Sequence, residues 1–151
     1  MNVGILVNPH KPGSLPTLHA LRAALKARGC HAVLDEETAQ LAGENGGIPA
    51  SKFAAHVQIA AVLGGDGTML HAVSRLGNFE KPVAGINIGT LGFLTSCKDD
   101  ELEIFAAAVA EGRYTTSVRT LLEATIYRQG KPPESFVALN EVTLARGDTG
   151  R

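Results

Sequence analysis

Residues 61–70, AVLGGDGTML, decide the fold of this chain. An apolar run over 59–63 leads into the stretch, and apolar residues at helical spacing follow it. A strand that breaks into glycines and then opens a helix is a common phosphate site in α/β proteins. Its backbone N–H groups approach the anion closely, and the helix N-terminus favours negative charge. The stretch therefore predicts a phosphate loop made of Gly64, Gly65, Gly67 and Thr68.

The acid inside this loop is unexpected, because a carboxylate repels phosphate groups. Asp66 therefore needs a separate task. It can accept a proton from a reacting hydroxyl, or it can hold a phosphate-bound metal ion. The alternative is a tight turn from strand to helix in which Asp66 caps the helix. The whole five-residue run favours phosphate chemistry, with Asp66 as the candidate catalytic group.

Three further apolar stretches extend this pattern into a sheet. The nearly continuous run at 2–7 predicts a strand buried on both faces, and 30–34 and 82–86 predict two more. A helix capped by Ser14 or Thr17 would link the first two strands as a right-handed parallel crossover. The sequence thus predicts an α/β domain with a three-layer arrangement around a parallel sheet. Ligands are expected at the carboxyl ends of the strands.

The apolar pattern changes its period in the last quarter of the chain. Residues 122–127 alternate apolar and polar side chains, and 136–144 alternate again after a turn. Such alternation is typical of half-buried antiparallel strands. We therefore divide the chain into an α/β domain, 1–115, and a β segment, 116–151, that begins a second, β-rich domain. Because the sequence stops soon after the last predicted strand, we expect it to be part of a longer protein.

The segment 87–94 is a candidate binding loop. Its glycines stand among apolar residues at a spacing that suits neither a helix nor a strand, and Phe93 offers a flat apolar surface. The alternative is a turn in the core with Phe93 buried. A helix starting at Asp99 or Asp100 is expected to follow.

Polar residues elsewhere complete the set of candidates. Asn140 and Glu141 interrupt the last predicted strand, which indicates either a functional site or a bulge with a solvated glutamate. His71 lies one helical turn beyond the acid of the loop and can face the same pocket. His10 and Lys11 follow the first strand, from where they can reach anions at the carboxyl edge of the sheet.

Composition excludes several classes of function. The 151 residues are 44% hydrophobic and 19% charged, which is typical of a globular chain with a real core. A net charge of −1 gives no electrostatic basis for binding nucleic acid or a membrane surface. The two cysteines form no pairing framework, and no histidine has metal-ligand spacing. We expect a cytoplasmic protein without a metal site of its own.

Four pieces of sequence, in order along the chain, resemble the NAD kinase family, which phosphorylates the 2′-hydroxyl of the adenosine ribose of NAD. The resemblance spans essentially the whole chain and implies a Rossmann-like, phosphofructokinase-like domain. The stretch at 85–94 and the later Asn-Glu pair are more specific than the glycine loop, which lipid kinases and phosphofructokinases share in similar form. The pieces are GILVNP at 4–9, GGDGT at 64–68, GINIGTLGFL at 85–94 and ALNEV at 138–142.

The resemblance implies a role for each matching residue. Asp66 matches the general base that accepts the proton of the ribose hydroxyl. Thr90 departs from the Arg or His often found at its position, and nothing here matches the C-terminal loop that completes the NAD site in the family. The positions that match NAD contacts are Asp66, Gly67, His71, Phe93, Asn140, Glu141 and Arg151.

The function implied is formation of NADP from NAD, with ATP or polyphosphate as donor and Mg²⁺ accompanying ATP. A homo-oligomer, dimer or tetramer, is implied for the full-length protein. Two alternatives remain open at this point. One is a lipid kinase of the diacylglycerol or sphingosine type, which shares the glycine loop. The other is a non-catalytic nucleotide-binding fragment.

Overall fold

A computed structural model of the chain describes residues 1–77, 79–89 and 92–145. It contains five strands that form one sheet: β1 (Asn2–Val7), β2 (His31–Leu34), β3 (Ile59–Gly64), β4 (Val83–Asn87) and β5 (Cys97–Lys98). Their order in the sheet is β2-β1-β3-β4-β5, and every neighbouring pair is parallel. The prediction of an α/β domain built on a parallel sheet is confirmed.

Helices cover both faces of this sheet. Alternate residues of β3 show the arrangement: Ala61 and Leu63 enter one core cluster, and Ala60 and Val62 enter the other. Because both faces are buried, the strand sequence is apolar throughout rather than alternating. The predicted three layers are confirmed. The helices are α1 (Ser14–Ala27), α2 (Glu36–Leu41), a 3₁₀ helix (Ala50–Ala55), α3 (Asp66–Leu76) and α4 (Leu102–Ala110).

Two predicted helix starts are wrong. The cap of α1 is Gly13, whose φ of 87° lies in the left-handed region, and the Ser14 hydroxyl donates instead to the carbonyl of Asn8 at 2.6 Å. Helix α4 begins at Leu102, after Glu101, and no side chain among the described residues caps it. In both places a residue suited to capping lies close to the helix start without occupying the capping position.

The end of the described chain forms a separate antiparallel hairpin of β6 (Leu122–Ile126) and β7 (Glu134–Ala138). The antiparallel pairing was predicted, but the expected half-burial is wrong: Leu122 is 45% exposed and Phe136 is 51% exposed. Alternating apolar and polar side chains place the apolar ones on one face of the hairpin, but that face is buried only where another part of the protein packs against it. Within the three described ranges, every helix is too short or too polar to span a membrane.

Candidate functional site

The glycine loop joins β3 to α3 at the carboxyl edge of the sheet. A Cβ added at Gly64 would lie 2.5 Å from Thr68 Cβ, so the first turn of α3 needs glycine there. The Gly65 N–H donates to Thr68 Oγ1 at 3.3 Å, and the Met69 N–H donates to the Gly65 carbonyl at 3.0 Å. The hydroxyl of Thr68 therefore fixes the loop against the first turn of α3.

Asn8 connects this loop to the turn after β1. Its N–H donates to the Leu63 carbonyl at 3.1 Å, and its Nδ2 donates to Thr68 Oγ1 at 3.4 Å. Its Oδ1 accepts the His10 N–H at 3.0 Å. The first and third strands thus end in loops that are hydrogen-bonded to each other. The Asn-Pro pair after β1 was the available sequence signal for this contact.

Asp66 is the first residue of α3, but its carboxylate does not cap that helix. Gly65 holds the capping position, so the alternative interpretation of Asp66 as a cap is wrong. Instead Oδ2 accepts the Phe93 N–H and Oδ1 accepts the Leu94 N–H, both at 2.8 Å. A Cβ added at Gly92 would lie 2.7 Å from Asp66 Cγ and closer still to Oδ1. The carboxylate therefore joins the glycine loop to the segment after β4.

Each carboxylate oxygen has two lone pairs, and each accepts one backbone N–H in this arrangement. A lone pair on each oxygen is left for another donor. A hydroxyl that approaches Asp66 can therefore hydrogen-bond to it while the loop contacts persist.

The candidate binding residues divide between two clefts beside α3. Gly67 and His71 line a cleft of about 680 Å³ between α3, α2 and the turn after β1, and His10 lies there too. Phe93 lines a second cleft of about 740 Å³, with Leu139 of the residues after β7. Both clefts adjoin the stretch that carries Asp66.

Phe93 and the Asn-Glu pair lie at the surface. The Phe93 side chain is 85% exposed, so the alternative of a buried turn is wrong. Asn140 and Glu141 are exposed and come after β7, which ends at Ala138, so they do not interrupt a strand. Arg151 and Thr90 lie outside the described residues.

An ion-pair network that the sequence did not indicate closes one wall of the first cleft. Arg75 of α3 donates to Asp35 Oδ2 at 2.6 Å and to Glu37 Oε2 at 2.8 Å. Asp35 is fully buried and also accepts the Thr38 N–H at 2.9 Å, capping α2. The network holds α3 against α2. Arg75 lies 40 residues from Asp35 and 38 residues from Glu37 in the sequence, so no spacing marks the network.

Neither a reactive thiol nor a cluster of metal ligands accompanies Asp66 among the described residues. Burial, with a smaller contribution from Glu101, raises the pKa of the Cys97 thiol to about 11, so this thiol stays neutral at physiological pH. Among the residues described, no three His, Cys, Asp or Glu side chains cluster closely enough to hold a metal ion. The arrangement can seat an anion and offer one carboxylate to a hydroxyl.

The chain is similar to known proteins over most of its length. The family model described as "ATP-NAD kinase N-terminal domain" matches residues 3–114. An NAD kinase of Ectopseudomonas mendocina (strain ymp) is 40% identical over 152 residues, covering 99% of this chain and 52% of that protein. An NAD kinase of Shewanella sp. (strain ANA-3) is 38% identical over 146 residues, covering 96% and 47%. The chain spans about half the length of the curated relatives it matches.

A solved structure shares the fold. Yeast NADH kinase complexed with NADH superimposes with a TM-score of 0.75 at 24% identity. The match covers 93% of this chain and 47% of the yeast chain. At that identity the likeness supports the fold alone.

Proposed function

Because this chain belongs to the ATP-NAD kinase N-terminal domain family, we propose that it is the α/β part of an NAD kinase. The reaction transfers a phosphoryl group to the 2′-hydroxyl of the adenosine ribose of NAD, which gives NADP. ATP or polyphosphate is the proposed donor. The observation that carries the proposal is the position of Asp66, between the glycine loop and the segment of Phe93.

In the proposed mechanism the glycine loop seats the donor phosphates against backbone N–H groups and the N-terminus of α3. The ribose oxygen forms a bond to the terminal phosphorus, and the bond from that phosphorus to the bridging oxygen breaks. The hydroxyl proton passes to the Asp66 carboxylate. This transfer needs mainly positioning and charge stabilisation, which is consistent with a single acid among the loop residues.

A divalent cation accompanies nucleoside triphosphates in this chemistry and neutralises charge on the phosphates. Asp66 is the carboxylate that the loop offers, and both of its oxygens already accept N–H groups. Mg²⁺ is commonly bound through one or two carboxylates together with substrate phosphates. The donor set therefore fits a cation that would be held mainly by the donor phosphates, which leaves the free lone pairs of Asp66 for the hydroxyl proton.

We assign the acceptor NAD to the residues that match family contacts: Gly67, His71, Phe93, Asn140, Glu141 and Arg151. The two-part division at residues 115 and 116 also belongs to the proposal. It is supported by the separate β6–β7 hairpin and its exposed apolar side chains. The remainder of the NAD site, a homo-oligomer and a cytoplasmic location are further parts of the proposal, in line with the half-length match to the relatives.

The half-length match also favours a second candidate, in which the 151 residues bind nucleotide without catalysis. Measurement of NADP formation separates the two, using this chain beside the reading frame extended to its stop codon. We expect NADP from the extended protein and little from the 151 residues. No NADP from the extended protein with any donor would refute the proposal, and phosphorylation of diacylglycerol or sphingosine would replace it with the lipid-kinase alternative.

A further inference from the structure

The turn after β1 brings a positive charge to the glycine loop. Lys11 lies in this turn, far from the loop in sequence. A Cβ added at Gly65 would lie 3.4 Å from Lys11 Nζ and 3.7 Å from Asn87 Oδ1. The ammonium group is therefore close to the backbone at which the phosphate loop begins.

The backbone of the turn fixes this position. The Lys11 N–H donates to the Asn8 carbonyl at 3.3 Å, and the Ser14 N–H donates to the Lys11 carbonyl at 3.2 Å. Asn8 is itself hydrogen-bonded to Leu63 of β3 and to Thr68 of the glycine loop. The fold thus places the base of the Lys11 side chain, rather than leaving it to a mobile surface loop.

Lys11 has no counter-ion in the part of the chain that the structure describes, although the residue is half-buried. Arg22 and Arg75, by contrast, are paired with carboxylates. A partly buried ammonium group loses hydration free energy and gains no ion pair in return. An anion bound beside it would compensate for that loss.

We propose that Lys11 binds the phosphate chain of the phosphoryl donor, with the phosphates lying between its ammonium group and the N–H groups of the loop. Lysine binds phosphate as a flexible point charge. Its charge also offsets the repulsion between the donor and Asp66. The inference rests on the proposed kinase function and adds to it a residue that contacts the phosphoryl donor and not the acceptor NAD.

Steady-state kinetics of the reading frame extended to its stop codon tests this role. Lys11→Met removes the charge and keeps the length of the side chain, Lys11→Arg keeps the charge, and Lys26→Met is the matched control. Lys26 is exposed near the C-terminal end of α1. We expect Lys11→Met to raise the KM for the donor by about tenfold or more, with the KM for NAD unchanged. Lys11→Arg should recover most of the loss, and Lys26→Met should behave as wild type.

A donor KM within twofold of wild type for Lys11→Met would overturn the proposal, and so would an equal rise in both KM values. Thermal midpoints of the variants establish that each one folds.

A binding measurement on the 151-residue chain separates failure of this inference from failure of the kinase function. Inorganic tripolyphosphate is titrated by calorimetry into wild type, Lys11→Met and Lys26→Met. Binding that is lost only in Lys11→Met supports the phosphate site even if no NADP forms. Equal binding by all three proteins, or no binding by wild type, overturns the role of Lys11 while the NADP assay still decides the kinase function.

Discussion

Replacement of Gly92 by alanine tests the contact between Asp66 and the segment after β4. A Cβ at this position would lie 2.7 Å from Asp66 Cγ and 2.9 Å from Oδ2, well inside van der Waals contact. Either the carboxylate or the segment must move. Both hydrogen bonds to Asp66, from the Phe93 and Leu94 N–H groups at 2.8 Å, are then weakened or lost.

The expected magnitude follows from these two bonds. A hydrogen bond to a charged group contributes about 1.5–3 kcal/mol, and partial exposure to solvent reduces that contribution. We therefore expect Gly92→Ala to destabilise the closed segment by about 1–3 kcal/mol, which is roughly a 5- to 150-fold rise in its opening. The global stability should change less, because the segment can open while the sheet stays folded.

Amide hydrogen exchange on the 151-residue chain measures this opening directly. The Phe93 and Leu94 amides should be protected in wild type and should exchange faster in Gly92→Ala. Gly67→Ala is the matched control in the same site, because a Cβ there meets no atom of the described residues within 4 Å. It should leave both amides protected. If Gly92→Ala keeps wild-type protection, or if wild type shows none, the reasoning about this contact is refuted.

Three further predictions concern single residues. In the extended protein, Asp66→Asn removes the proposed base and turns an amide N–H₂ toward a backbone N–H. We therefore expect kcat to fall by about 10²–10⁴-fold. A near-normal kcat in steady-state assays would exclude catalysis by this side chain. Asn140→Ala should raise the KM for NAD more than it lowers kcat, since it removes a binding contact, and the reverse pattern would contradict that role. Arg75→Met leaves the fully buried Asp35 without its ion-pair partner, and chemical denaturation should show a loss of about 2–4 kcal/mol. The control, Arg22→Met in a more exposed pair with Glu44, should cost less than about 1 kcal/mol, and equal losses would refute the argument from burial.

The strands of the parallel sheet were predictable because burial on both faces leaves a local signal. The runs at 2–7 and 59–63 are almost wholly apolar, and the structure places them side by side as β1 and β3. The end of the chain was harder to predict. The strand predicted at 136–144 starts two residues earlier and ends at Ala138, because alternation continues past the last residue that pairs with β6. A local pattern specifies which side chains share a face, but not where the partner strand ends.

Contacts between loops left no local pattern of this kind. Asp66 meets Phe93 and Leu94 across 27 and 28 residues, and the requirement for glycine at position 92 becomes visible only when the carboxylate is placed beside it. Both sides of this contact were candidate site residues in the sequence, because they lie in the glycine loop and in the segment 87–94. Their meeting depends on β3 and β4 being parallel neighbours, which brings the loops after both strands to one edge of the sheet.

The presence of an acid in the proposed phosphate loop has a physical explanation in this geometry. The Asp66 carboxylate accepts hydrogen bonds from two N–H groups of the segment after β4, so its charge is partly compensated by groups outside the glycine loop. The turn after β1 supplies Lys11 near Gly65, and its positive charge opposes the same repulsion. Side-chain hydrogen bonds through Asn8 and Asp66 connect the three loops at the carboxyl edge. Within these 151 residues the compensation is local, because their net charge of −1 provides no field that would hold a polyanion beside a carboxylate.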